Sequence, residues 1–349
     1  MLEIDESIVY LGAAGPRHHA AEKKIQAFAP YIQSAALRDF NEQEVVDATD
    51  LLDATGDLHA LSLDLSANHS LQKLTAKGTS GKIANVSSVL VSNKAPLDNV
   101  TSPQIDVSYT GLNKAALVNL FNSMPYNVGY TTEGSPTITD GVASGLNDSN
   151  FLKLTQASVK EGNLDIKLKF TTGDDVTTSQ YPFSWESKAD STNRACGIYI
   201  SSSKYGFLCR ETDDTNHQWS NTGGAVISAN TTYFMHVLFT TTDKSLKVGI
   251  SDHDGDYTYG VQQTLTNNLC LFNGDFWLPQ IGRAIPSNFS FPGSIDLNYF
   301  SIKIDGITWF DGKADVTKTV SVVGCSGTED LTAEDKAIAE DKGWAITLS

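Results

Sequence analysis

Between about Tyr126 and Lys313, apolar and polar residues alternate in short runs broken by Gly, Asn, Asp and Ser. LDIKLKFTT, CGIYISS, TYFMHVLFTT, KSLKVGISD and GSIDLNYFSIKIDGITWF belong to this set. A period of two puts every second side chain on one face, so each run predicts a half-buried strand. About eleven such runs are too many for a small barrel and fit two stacked sheets.

Upstream the pattern is looser. Leu61, Leu63, Leu65 and Asn68 follow the spacing of a leucine-rich turn, with Leu71 and Leu74 behind them. Val86, Val89, Val91 and Asn93 restate it, and Ile105 and Val107 follow. Strand-like cores therefore recur every ~16–20 residues, as in a solenoid whose units cannot bury their apolar faces alone. An irregular β/loop domain is the alternative.

Helical spacing is confined to the flanks. Ile25, Phe28 and Ile32 share a face between Pro16 and about Leu37, with Pro30 expected to kink or divide the helix. A second helical stretch is predicted over Glu42–Leu52. These helices form either a docking and oligomerising element or a cap on the next domain. After PQIDVSY comes TGLNKAALVNLFNSM, with Leu112, Leu117, Leu120 and Phe121 on one face, and after TVSVVGC comes SGTEDLTAEDKAIAEDKGW, then AITLS. Both ends read strand, polar turn, helix, so one solenoid interrupted by a sandwich is expected. The domains are then 1–55 (N-terminal helical segment), 56–125 (leucine-rich-like repeats), 126–313 (sandwich) and 314–349 (strand–helix–strand continuing the solenoid).

Over the 349 residues, 40% hydrophobic and 19% charged content exclude a collagen, a coiled-coil rod and a largely disordered chain. A net charge of −16 repels nucleic acid and anionic membranes. No stretch approaches the roughly 18–20 apolar residues of a membrane span, so no membrane partner is expected. MLEIDESIVYLG lacks the basic start of a secretory signal. The cysteines, Cys196, Cys209, Cys270 and Cys325, form no metal-binding spacing. A hairpin turning at Ser202–Ser203 would set Cys196 opposite Cys209, with two buried thiols preferred over a disulfide.

LDIKLKFTTG, GIYIS, TYFMHVLFTTTDKSLKVGISDHDGDY, LPQIGR and FPGSIDLNYFSIKIDGITWF together resemble the concanavalin A-like, laminin-G-type jelly roll, over a little more than half of the chain. The closing block carries most of the resemblance: its glycines permit the turns, while Ile302 and Ile304 point inward. The flanking segments look like sequences beside such modules in bacteriophage fibre proteins and in surface proteins of gut Bacteroidetes. The resemblance implies a mainly β chain, a jelly-roll sandwich joined to a short leucine-rich-like α/β solenoid. It implies a head or tail fibre at the virion surface and, as fibres usually are, a homotrimer; no family motif covers the N-terminal 55 residues, where the apolar stripe Ile25, Phe28 and Ile32 is expected to hold the trimer and the segment to join other virion proteins. Its partner would be a host-surface glycan, and a bacterial cell-surface glycan-binding protein or adhesin is the alternative.

A glycosidase sandwich needs two carboxylates across a sugar bond, usually at alternate positions of one strand. Glu186, Glu211 and Asp296 are isolated instead, and no Gly-x-Ser-x-Gly elbow occurs. His236 reads as a satisfied strand residue, and no enzyme is expected. Asp252 to Asp256 alternate acids, but the glycine is misplaced for a calcium loop and a hairpin turn is simpler. The resemblance leaves calcium possible at Asp174 and Asp175; no other cofactor is expected. A sugar needs an aromatic face beside polar groups. RETDDTNHQWSNTGG, read as an exposed loop, offers Asp214, Asn216, His217, Trp219 and Asn221. Trp185 with Tyr181, or Trp277, would complete the platform, core burial being the other reading for Trp185 and Trp309.

Overall fold

The computed structural model describes residues 40–41, 43–49, 61–157, 159–186, 194–211, 216–220, 226–272, 276–284 and 289–349. In chain order the elements are β1 (Val45–Asp47), β2 (Leu61–Leu65), β3 (Lys73–Thr75), β4 (Val86–Val91), β5 (Ile105–Asp106) and helix α1 (Lys114–Ser123). Then come β6 (Val128–Glu133), β7 (Thr137–Thr139), β8 (Val142–Ser144), β9 (Phe151–Leu154), β10 (Leu164–Thr171), β11 (Gln180–Glu186), β12 (Arg194–Ser201), β13 (Lys204–Arg210) and β14 (Asn216–Ser220). The remainder are β15 (Thr232–Thr240), β16 (Ser245–Ser251), β17 (Thr258–Tyr259), β18 (Gln263–Thr264), β19 (Gln280–Ile281), β20 (Ser294–Ile304), β21 (Ile307–Ala314), β22 (Lys318–Ser321), α2 (Ala333–Glu340) and β23 (Trp344–Thr347). The chain is mainly β and divides into two units: Met1–Met124 with Lys318–Ala339 and Ala345–Ser349, and Pro125–Thr317 with Glu340–Trp344. Among the described residues no helix is long and apolar enough to cross a membrane.

The first unit is solenoid-like. Five strands stack in the order β1-β3-β5-β22-β23, and β2 pairs with β4 in a separate ladder. Val46 pairs in parallel with Leu74, 28 residues on, and Leu74 with Ile105, 31 on. The expected recurrence of ~16–20 residues is therefore corrected: successive strands alternate between two ladders, so true neighbours are further apart. The inward apolar positions Leu61, Leu63, Leu65, Val86, Val89 and Val91 are all buried. Asn68 holds the bend, its amide donating to the carbonyls of Phe40 (2.6 Å) and Gln43 (2.8 Å). The ladder continues from Ile105 to Val320, past the Pro125–Thr317 segment of the second unit.

Glu42–Leu52 is not a helix, because β1 occupies Val45–Asp47; the β-branched pair Val45–Val46 joins the parallel ladder instead. The helix expected between Pro16 and Leu37, with Ile25, Phe28 and Ile32, lies outside the described residues. α1 starts where Asn113 Oδ1 accepts from the Ala116 N–H (2.9 Å) and buries Ala116, Leu117, Leu120 and Phe121. At α2, Thr332 and Asp335 hydrogen-bond reciprocally, a capping arrangement.

The second unit is one long ladder, β14-β13-β12-β11-β19-β9-β6-β21-β20-β10-β15-β16-β17, that folds over on itself. Its two halves meet in an aromatic core. Trp185 on β11 stacks on Trp309 of β21 (centroids 4.9 Å apart), and Phe300 of β20 meets Phe183 and Phe310 edge-on. Alternation builds this core directly: Leu164, Ile166, Leu168 and Phe170 of β10 point in, while Asp165, Lys167 and Lys169 point out. The β12–β13 hairpin turns at Ser202 and Ser203, both at positive φ, and sets Cys196 opposite Cys209 as two buried free thiols.

Lys342 is a buried cation in this unit, its ammonium over the Tyr126 ring at 5.7 Å. Burial, helped by the charge of Lys160, pulls its pKa down from 10.5 to about 8. The folded state thus binds this proton less tightly than the unfolded chain, and the penalty is fully present below pH 8 and fades as pH rises toward 10.5. Lys342→Met is expected to stabilise the second unit at pH 7 by up to about 3 kcal/mol, less the lost ring contact. Urea denaturation of both proteins from pH 7 to 10.5 checks it: the gap should close with rising pH, and a constant gap would refute the linkage.

Candidate functional site

The outward face of β20, β10, β15 and β16 carries polar and aromatic side chains in register. Lys167 pairs with Ser301 on one side and His236 on the other, and His236 with Gly249. Asp165 stands opposite Lys303, and Lys169 between Asp296 and Phe234. β17 then runs along β16 with Tyr259 opposite Gly249. A β-carbon at Gly249 would sit 2.9 Å from the Tyr259 ring, so the missing side chain lets the tyrosines lie across the strand.

His236, 9% exposed, links these elements. Its Nε2 lies 3.0 Å from Asp165 Oδ1 and its Nδ1 2.7 Å from the Tyr259 hydroxyl. An ionised carboxylate only accepts, so Nε2 donates to Asp165. Burial acts to raise the Asp165 pKa, but the His236 hydrogen bond and the charges of His236, Lys167 and Lys303 outweigh it and hold the carboxyl below its usual range. The Tyr257 ring packs 4.9 Å from the His236 ring, and its hydroxyl lies 2.6 Å from that of Tyr299. Both of these hydroxyls reach Asp254. Tyr299 also meets Phe234 edge-on, with Lys169 over the Phe234 ring and paired with Asp296 at 2.7 Å. Burial raises the pKa of Tyr257, Tyr259 and Tyr299, which keeps the phenols protonated as hydrogen-bonding groups. Tyr259 remains 39% exposed, so a ring fixed at its hydroxyl presents surface to solvent.

The residues singled out from sequence fall elsewhere. Asn216, His217 and Trp219 are in β14, not in a loop as expected: pairing with β13 sets Trp219 opposite Phe207 and His217 opposite Cys209, two core positions. The side chains of β14, and Asp214 and Asn221 altogether, lie outside the described residues. Trp185 is fully buried and donates from Nε1 to the Ala157 carbonyl (3.1 Å), which removes it from any surface platform. Tyr181 is buried as well, whereas Trp277 is 46% exposed. Asp175 holds a turn through Thr177 and Thr178, and Asp174 accepts from Asn230. Asp252–Asp256 form the turn between β16 and β17. Glu211 is buried and accepts from the backbone N–H groups of Thr266 and Asn267. Among the described residues no three His, Cys, Asp or Glu side chains are grouped to hold a metal ion. Sequence reasoning missed Tyr257, Tyr259 and Tyr299; the signal available was YTYG directly after the acidic turn.

No family model and no curated protein matches the chain. Among solved structures, a sialidase CBM40 from Ruminococcus gnavus bound to α2,3-sialyllactose matches at 13% identity and a TM-score of 0.35, over 48% of this chain and 87% of that one. The receptor-binding domain of botulinum neurotoxin C/D mosaic serotype matches at 10% identity and 0.38, over 62% and 46%. The serotype D ligand-binding domain in complex with N-acetylneuraminic acid matches at 10% and 0.37, over 55% and 44%. The chain thus spans less than half the length of those two neurotoxin chains. At these scores the likeness fixes neither ligand nor ancestry.

Proposed function

We propose that the chain is a non-catalytic glycan-binding protein whose sandwich presents its ligand site on the tyrosine face. The observation that carries the reading is Tyr259: an exposed ring pinned at its hydroxyl by His236, which is itself fixed by Asp165. A pyranose offers an apolar face to such a ring and hydroxyls to the groups around it, and a ring already held in place loses little entropy on binding. A binding rather than hydrolytic role is supported by the isolated carboxylates, since Glu211 is spent on backbone N–H groups and Asp296 on Lys169.

Within this reading the chain is a bacteriophage head or tail fibre at the virion surface. The support is the sequence resemblance of the FPGSIDLNYFSIKIDGITWF block and its flanks. The first unit acts as a spacer, the N-terminal segment joins other virion proteins, and Ile25, Phe28 and Ile32 hold a trimer. Many copies on one particle would raise avidity without new contacts. Mass spectrometry of purified virions against bacterial envelopes separates a fibre from a cell-surface adhesin.

On a glycan array, the full chain is expected to retain a defined set of saccharides without releasing cleavage products. Tyr259→Ala should weaken that binding by about tenfold or more, the loss of roughly one stacked ring, and should cost about 1–3 kcal/mol of stability without unfolding the chain, because the buried His236 ring loses its partner. Unchanged binding in this variant would contradict the proposed site.

A further inference from the structure

The tyrosine face is chemically lopsided. At one end, Asp254 is occupied by the hydroxyls of Tyr257 and Tyr299. At the other stand Lys167, Lys303 and Lys247, from three different strands of the outward face. The strand carboxylates beside them are engaged: Asp165 with His236 (3.0 Å) and Asp296 with Lys169 (2.7 Å). Among the described residues Lys167, Lys247 and Lys303 form no ion pair within 4 Å. Lys167 and Lys303 act on Asp165, but three lysines beside that one carboxylate leave a local excess of positive charge in a chain of net charge −16. Lys167 adjoins His236 in the ladder, on the side opposite Gly249 and Tyr259. A sugar lying on the Tyr259 ring would therefore have Lys167 on the next strand beyond His236.

We infer that the face takes an acidic saccharide, with a pyranose ring on Tyr259 and its carboxylate toward Lys167 and Lys303. The inference rests on the glycan-binding reading and adds the ligand's charge. Uronic acids and sialic acids share the required chemistry, a carboxylate borne on a pyranose. A carboxylate facing these half-buried lysines gains a modest, salt-sensitive attraction.

The test uses the full chain and two matched pairs of probes: polygalacturonate against its methyl-esterified form, and sialyllactose against its carboxylate methyl ester. In each pair the acidic carboxylate group separates one probe from the other. At low salt at least one acidic member is expected to bind about fivefold or more tighter than its neutral partner, and which pair shows it separates uronate from sialate. The preference should fall in 1 M salt. Lys167→Gln should remove the preference, and Tyr259→Ala should weaken binding of both members of a pair. Equal binding of both members of each pair, or a preference that survives Lys167→Gln together with Lys303→Gln, overturns the acidic ligand. Binding confined to other, neutral glycans of the array overturns it too, yet leaves the glycan reading standing. A chain that retains no glycan at all overturns both.

Discussion

Replacing Trp185 with alanine is expected to cost the second unit about 3–5 kcal/mol, the range for deleting a buried tryptophan. The indole is fully buried, stacked on Trp309 at 4.9 Å and edge-on to Phe183 at 6.4 Å. Its loss would leave a cavity between the two halves of the ladder. It would also strand the Ala157 carbonyl, which accepts from Nε1. Urea denaturation followed by circular dichroism checks the size of the effect. The residue type alone admits a sugar platform, so the outcome separates two roles. A loss under about 1 kcal/mol together with abolished glycan binding would return Trp185 to the surface.

Gly312→Ala is expected to cost about 2–4 kcal/mol, because two penalties coincide there. The residue sits at φ +74°, and an added β-carbon would lie 1.7 Å from the Leu297 carbonyl oxygen, a backbone atom that no rotamer change can move. Gly145→Ala supplies the comparison. It has a similar φ of +66° with nothing within 4 Å of the added carbon, so it should show only the conformational cost of about 1 kcal/mol. Equal losses in the two variants would mean that β20 and β21 yield at this contact.

What the sequence reveals depends on how local each determinant is. The facing of Cys196 and Cys209 is readable because a two-residue turn fixes the register of everything beyond it. The inward set of β10 is readable because one period decides it. The first unit shows the opposite case. β2 and β3 carry similar apolar alternation, and nothing within either segment says that they belong to different ladders, so the spacing along the sequence understates the repeat. Val45–Val46 fits both a helix and a strand in so short a window, and the decision comes from β3, 28 residues away.

The candidate site is harder still. Asp165 and His236 are 71 residues apart, and Tyr259 lies 23 beyond His236. Their meeting depends on the registers of β10, β15, β16 and β17 together, and on the space left at Gly249. None of these residues is unusual in its own segment. Trp185 and Trp309 show the converse: prominent residue types whose place in the core follows only from which face of β11 and β21 they occupy.

The most direct measurement is a crystal structure of the full chain with the tightest-binding oligosaccharide from the array. The account predicts a sugar ring lying parallel to the Tyr259 ring at about 3.5–4 Å, with His236 and Asp165 keeping their hydrogen bonds beneath it. A sugar bound at β14 beside Trp219, or at Trp277, with the tyrosine face bare, would contradict it.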